Sequence, residues 1–80
     1  MVRVEVRLYA TLRRYLSDLG PGESQVVVLR DGSKLGQLFR RLKIPKKEIK
    51  TAYVNGKWEE ESYILKDGDR IGIFPPIGGG

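Results

Sequence analysis

The sequence predicts a single α+β domain in two layers, a small mixed sheet packed on one main helix. Three observations carry this expectation. The chain has 80 residues, which limits it to one compact core. Near either end it reads as strand: "VRVEVRL" alternates apolar and charged residues, and "RIGIF" is a short apolar run. Between them, Leu35, Leu38, Phe39 and Leu42 recur at i, i+3, i+4 and i+7, the spacing of a helix with one buried face.

Taken in order, Val2, Val4, Val6 and Leu8 form the buried face of the first strand, with Arg3, Glu5, Arg7 and Tyr9 outward. Leu12, Tyr15, Leu16 and Leu19 predict a short helix over about residues 10–18, with Thr11, Arg13, Arg14 and Ser17 toward water. "GPGES" at 20–24 ends it, and "QVVVLR" at 25–30 reads as a second strand. "DGS" at 31–33 turns the chain, and Ser33 is placed to cap a main helix of about residues 34–43 that stops ahead of Pro45. Gly36 inside this helix costs about 1 kcal/mol relative to alanine, a cost that close packing against the sheet would offset. "TAYV" at 51–54 is a short strand, and Asn55-Gly56 marks a tight turn from which Lys57 and Trp58 return. "EEESY" reads as acidic and exposed. Ile64 and Leu65 lead to the turn "KDGD" at 66–69, then to the last strand at 70–74 with Ile71 and Ile73 on one face. The first and last strands are expected side by side at the centre, and the long crossover between them makes the pair parallel.

Composition removes most enzymatic chemistry. The chain has no cysteine and no histidine, hence no disulfide, thiol nucleophile, imidazole base or cysteine-based zinc site. Serines 17, 24, 33 and 62 have no histidine to activate them, and Asp31, Asp67 and Asp69 sit in turns where aspartate bonds local backbone. Glu59, Glu60 and Glu61 read as a solvated loop rather than a cation site. No residue set performs acid–base or nucleophilic catalysis alone, and no metal site is expected. The N-terminus does not read as a signal peptide and no apolar stretch is long enough to span a membrane, so a cytoplasmic setting is expected. The formal charge is +5. Its cations are spread over polar faces, which reads as a solvated basic surface, ahead of an acidic protein partner and well ahead of nucleic acid.

The unusual feature is the stretch "FPPIGGG" at 74–80. Glycine runs lose the most backbone entropy on ordering and add nothing to a core. Pro75 and Pro76 lack an N–H, stop strand pairing and favour an extended path away from the sheet. Residues 77–80 would reach about 13–14 Å if extended. The division expected is therefore a folded domain at 1–76 and a flexible tail at 77–80. A terminal carboxylate on glycines has no side chain to obstruct a narrow channel. A partner enzyme could thread it and activate it as an acyl-adenylate.

These residues carry a resemblance. "LKDGDRIGIFPPIGGG" resembles the C-terminal signature of the ubiquitin-like sulfur carriers, which comprise the small subunit of molybdopterin synthase and the thiamine-pathway carrier. The element order resembles their β-grasp fold over the whole chain. Pro75-Pro76-Ile77 with Gly79-Gly80, and a helix between the first two strands, are more similar to the molybdopterin branch. Gly78 stands where that branch often has another small residue; as an extension, it would leave Gly79 as the working end. The resemblance implies that an activating enzyme related to ubiquitin E1 adenylates the Gly80 carboxylate with ATP and that a sulfur donor converts it to a thiocarboxylate. It implies docking on the large synthase subunit, as a heterotetramer, and sulfur delivery to a pterin precursor. The carrier itself binds no cofactor in this reading. Gly80 carries the transferable group, Gly78 and Gly79 pass the channel, and Pro75 and Pro76 aim the tail. Phe74, opposite Ile71 and Ile73, is either a second-face core residue or docking surface. Trp58 is either a partner contact or packs over the sheet, and Ile77 joins the docking set. Competing readings are a carrier for thiamine or another sulfur-transfer pathway, a protein modifier attached through its last glycine, and a β-grasp module that only binds.

Overall fold

The structure, a computed structural model, describes residues 1–16 and 23–76. The elements are β1 (Val2–Leu8), a 3-10 helix (Ala10–Leu16), β2 (Gln25–Leu29), α1 (Leu35–Arg41), a short 3-10 turn (Lys46–Glu48), β3 (Thr51–Val54), β4 (Lys57–Trp58) and β5 (Arg70–Phe74). One mixed five-stranded sheet runs in the order β2-β1-β5-β3-β4. β5 pairs in parallel with β1 from Glu5–Arg70 to Leu8–Ile73, and antiparallel with β3 from Thr51–Phe74 to Val54–Ile71. The first and last strands thus lie side by side within the sheet and run in parallel, as expected.

Alternation decides which face is buried. Val2, Val4, Val6 and Leu8 point into the core while Arg3 stays outside, and Val27 and Leu29 of β2 join them while Val26 and Val28 remain exposed. Val6, Leu12, Leu35, Leu38 and Ile73 have no exposed surface, so strand, 3-10 helix and α1 meet in a single cluster. At roughly 1.5–3 kcal/mol per fully buried aliphatic side chain, this cluster is the main favourable term. The segment at 10–16 is 3-10 rather than α; its first residue, Ala10, has a φ of 53°, and only Leu12 within it is fully buried. Leu19 and Ser17 of that expected helix lie outside the described residues.

Two local expectations at α1 change. Ser33 is not the cap: Lys34 precedes the first helical residue, and its N–H is taken by the Gln37 side-chain oxygen at 2.7 Å. Ser33 instead serves the 65 segment, its carbonyl accepting from the Leu65 N–H at 2.8 Å. Gly36 does face a close neighbour, but not the sheet. A Cβ there would lie 3.0 Å from Glu61 Oε1 and 3.2 Å from Glu61 Cβ, and the Gly36 N–H donates to the Glu61 carbonyl at 3.0 Å. The helix ends as the approach of Pro45 requires, with Lys43 at φ 60°, its N–H on the Arg40 carbonyl and the Ile44 N–H on the Phe39 carbonyl. That is a Schellman ending, with lysine in the left-handed position glycine usually takes.

The turn before β5 is bound to distant parts of the chain. Asp67 Oδ1 accepts the Arg3 N–H at 2.8 Å, and the Gly68 N–H donates to the Arg3 carbonyl at 2.8 Å. Asp69 is buried. Its Oδ1 accepts from Asn55 Nδ2 at 2.8 Å; its Oδ2 accepts from the Tyr63 hydroxyl at 2.9 Å and the Lys66 N–H at 2.8 Å. Asn55 and Gly56 adopt positive φ values of 53° and 85°, the two-residue hairpin turn expected of this dipeptide. Among the described residues, no helix is long and apolar enough to cross a membrane.

Burial, and then the hydrogen bond to Asp69, push the Tyr63 phenol up to about 12 from its ordinary 10.0. Folding therefore favours the protonated phenol, so its contribution is whole below pH 10 and is lost as pH rises through about 12. Tyr63→Phe should cost about 1–2 kcal/mol at neutral pH, since Asp69 Oδ2 keeps only one donor. Urea denaturation should show wild type losing its advantage over this variant between pH 10 and about 12. An advantage unchanged across that window would disprove the Tyr63–Asp69 linkage.

Candidate functional site

β5 is paired to its last residue. The Tyr9 N–H donates to the Ile73 carbonyl at 3.2 Å, and the Lys50 N–H donates to the Phe74 carbonyl at 2.9 Å. Pro75 and Pro76 follow at once, both half-buried, and neither brings a donor that would continue the ladder. Ile77, Gly78, Gly79 and Gly80 lie outside the described residues.

Around this exit the face of the sheet away from α1 carries an aromatic group. Phe74 stacks on Tyr9 with centroids 4.3 Å apart and planes 4° from parallel, and meets Tyr53 edge-on at 5.7 Å and 85°. Such pairs contribute about 0.5–1.5 kcal/mol beyond their area. Gly72 makes the arrangement possible, because a Cβ there would stand 3.2 Å from Tyr9 Cε2. Register explains the convergence: Gly72 lies between Arg7 of β1 and Tyr53 of β3, and Phe74 lies opposite Thr51. With Pro75 and Pro76, these rings line an open hollow of about 1150 Å³. Arg7, Lys50 and Arg70 line it as well, giving it a basic rim; Arg7 also pairs with Glu5 at 3.3 Å.

Phe74 therefore belongs to an outer aromatic layer rather than to the main core, and both prolines sit beside it. Trp58 is exposed, at 55%, and lines a separate hollow of about 270 Å³ with Phe39, Ile49 and Ala52. The structure does not bring Trp58 and Phe74 into one surface hollow. Tyr9, Tyr53, Arg7, Lys50 and Arg70 were not expected at the site. The signal for the first two was present: alternation turns Tyr9 and Tyr53 outward, and a central β5 puts Phe74 between their strands. The rim cations carry no such local mark.

The surface offers shape and charge. Among the described residues no cluster of acidic, cysteine or histidine side chains is arranged to hold a metal ion. Partly exposed rings with a basic rim are the shape and charge that an apolar or acidic surface would complement. Phe74→Ala should preserve the fold and cost about 1–2 kcal/mol, the loss of two ring contacts and some area. Urea denaturation with near-ultraviolet circular dichroism reads both effects. A loss near the 3–5 kcal/mol typical of core aromatics would return Phe74 to the core.

Comparison with known proteins gives one family and several structures of one fold. Residues 6–80 match the ThiS family. Among curated proteins none matches the sequence. A chain from Pyrococcus furiosus, provisionally named molybdopterin converting factor subunit 1, superposes with a TM-score of 0.76 at 23% identity, covering 96% of this chain and 100% of that one. Small archaeal modifier protein 1 from Haloferax volcanii gives 0.75 at 16% identity, covering 96% and 100%. A chain of the complex of subunits 1 and 2 of molybdopterin-converting factor from Helicobacter pylori gives 0.60 at 23%, covering 99% and 100%. At these identities the likeness is one of fold, the β-grasp.

Proposed function

The chain belongs to the ThiS family, and from that premise we propose that it is a sulfur carrier whose Gly80 carboxylate is adenylated and then converted to a thiocarboxylate. The observation that carries this reading is the exit of β5. The last rung of the ladder, Lys50 N–H to the Phe74 carbonyl, is followed directly by two residues that cannot extend it. Strand pairing thus ends at Phe74, and Pro75 and Pro76 separate it in sequence from Ile77, Gly78, Gly79 and Gly80.

The chemistry belongs to partners. An E1-like adenylating enzyme brings ATP; a carboxylate oxygen of Gly80 attacks the α-phosphorus, and pyrophosphate leaves. A donor of sulfide-level sulfur then attacks the carbonyl carbon and AMP leaves; the sulfur's proton passes to solvent and the thiocarboxylate remains. The aromatic hollow at Phe74, with Ile77 beyond it, docks the partner, and Trp58 supplies a second contact. Gly78 and Gly79 have no side chain to obstruct a narrow channel.

The pathway we favour is molybdopterin synthesis, with a large synthase subunit as acceptor and two carriers on a dimeric large subunit. Its support is the Helicobacter pylori neighbour, itself a subunit 1 and 2 complex, together with Pro75-Pro76-Ile77 ahead of the glycines. A second reading, attachment of Gly80 to lysines of other proteins, is favoured by the likeness to small archaeal modifier protein 1.

Intact mass after incubation with ATP, the cognate activating enzyme and a sulfur source tests the class. Replacement of one oxygen by sulfur at Gly80 is expected, and removing Gly79 and Gly80 should abolish it without lowering the urea midpoint. Sulfur transfer by the shortened chain would end the proposal. Conjugates of slower migration in place of a small-molecule product would select the modifier reading. Gly79→Val should fold normally and fail in transfer, because its branched side chain fills the channel and narrows φ and ψ; wild-type turnover would exclude threading.

A further inference from the structure

Asn55 is the only asparagine in the sequence, and it precedes a glycine. A glycine on the carboxyl side, having no Cβ, leaves its backbone nitrogen least hindered for attack on the asparagine side chain. Both residues are exposed, so water reaches the turn. Yet the Asn55 amide is held at both ends. Nδ2 donates to Asp69 Oδ1 at 2.8 Å, and Oδ1 accepts the Arg70 N–H at 3.0 Å. We propose that Asn55 is a latent deamidation site, kept unreactive by the Asp69 carboxylate, and that its conversion to an acid unlatches the turn that leads into β5.

The step balances without a redox partner. The Gly56 nitrogen gives its proton to solvent base and bonds to Asn55 Cγ. The Cγ–Nδ2 bond breaks and ammonia leaves, forming a five-membered imide. Water then opens the ring at either carbonyl, giving aspartate or isoaspartate, so that one water is consumed and one ammonia released. To present Cγ to Gly56 the side chain must swing back onto its own backbone, and both hydrogen bonds must break. In the denatured chain neither bond exists.

The product damages what the amide had supported. An aspartate at 55 faces Asp69 Oδ1 with an anion where a donor stood, and like charges at hydrogen-bond distance repel. Isoaspartate adds a methylene to a two-residue turn and shifts the Tyr53–Trp58 and Val54–Lys57 pairs out of register. Either change reaches Tyr63 and Lys66 through the carboxylate they share.

The test is a time course at mildly alkaline pH, with the amide-to-acid mass change followed on the peptide carrying residue 55. Deamidation in the folded protein should be at least roughly tenfold slower than in urea, the factor that one to two net hydrogen bonds represent. Asp69→Ala, which frees Nδ2, should deamidate severalfold faster than wild type. Tyr63→Phe, which loses a different Asp69 contact, should stay near the wild-type rate. Asn55→Asp, the product made in advance, should lower the urea midpoint. Equal rates in folded and denatured protein, or an Asn55→Asp variant as stable as wild type, overturns the proposal. Equal acceleration by Tyr63→Phe and Asp69→Ala also overturns it, since general loosening would then explain the rate. If Asp69→Ala does not fold, the folded-against-urea ratio and the Asn55→Asp midpoint decide alone.

Discussion

The parallel pairing of β5 with β1 is the constraint on which the rest of the molecule depends. β5 has hydrogen-bonded neighbours on both edges, so its register is set twice, by β1 and by β3. A slip of one residue would turn Ile71 and Ile73 out of the core and Gly72 into it. The turn at 66–69 prevents that slip. It is tied to the start of β1 through Arg3 and Glu5 and to the β3–β4 hairpin through Asn55, while the buried Asp69 carboxylate joins three donors. The place where the chain leaves the sheet is thereby determined at the opposite end of the strand.

The main core and the aromatic layer lie on opposite faces of one strand. Ile71 and Ile73 face the cluster that contains Leu12, Leu35 and Leu38. Gly72 and Phe74 face outward, where the glycine admits the Tyr9 ring and the phenylalanine stacks on it. The outer layer is fastened mainly by ring contacts, while the inner face holds the fold. This separation suits the proposed carrier, in which partners perform the chemistry.

Much of this was legible in the sequence because it depends on short-range pattern. The period-two run from Val2 to Leu8, the helical spacing of Leu35, Leu38, Phe39 and Leu42, and the Asn55-Gly56 turn each encode their conformation within a few residues. The central parallel strands followed from two apolar runs and a long crossover. What the pattern did not reveal depends on partners far away in the chain. Asp69 reads as an ordinary turn aspartate until Asn55 and Tyr63 are brought to it. Gly36 reads as a contact with the sheet, whereas its neighbour is Glu61, from a loop with no periodicity to place it. Ser33 matches the preferred capping residues, yet its carbonyl pairs with Leu65 and the helix starts later, where Gln37 reaches back. At the site, Tyr9 was visible as an outward residue, but the empty space over Gly72 that receives it is a property of three neighbouring strands.

The direction of the central pair also has a mechanical consequence. β1 begins near the amino terminus and β5 ends near Pro75, and because they run in parallel these two points lie at opposite ends of the same ladder. Traction on the carboxyl end would load the rungs between the strands side by side, all at once, instead of peeling them one after another as a zipper opens. The antiparallel contact with β3 shares that force from the other edge. A machine that grips and hauls on the last residues would meet a body that resists as a unit.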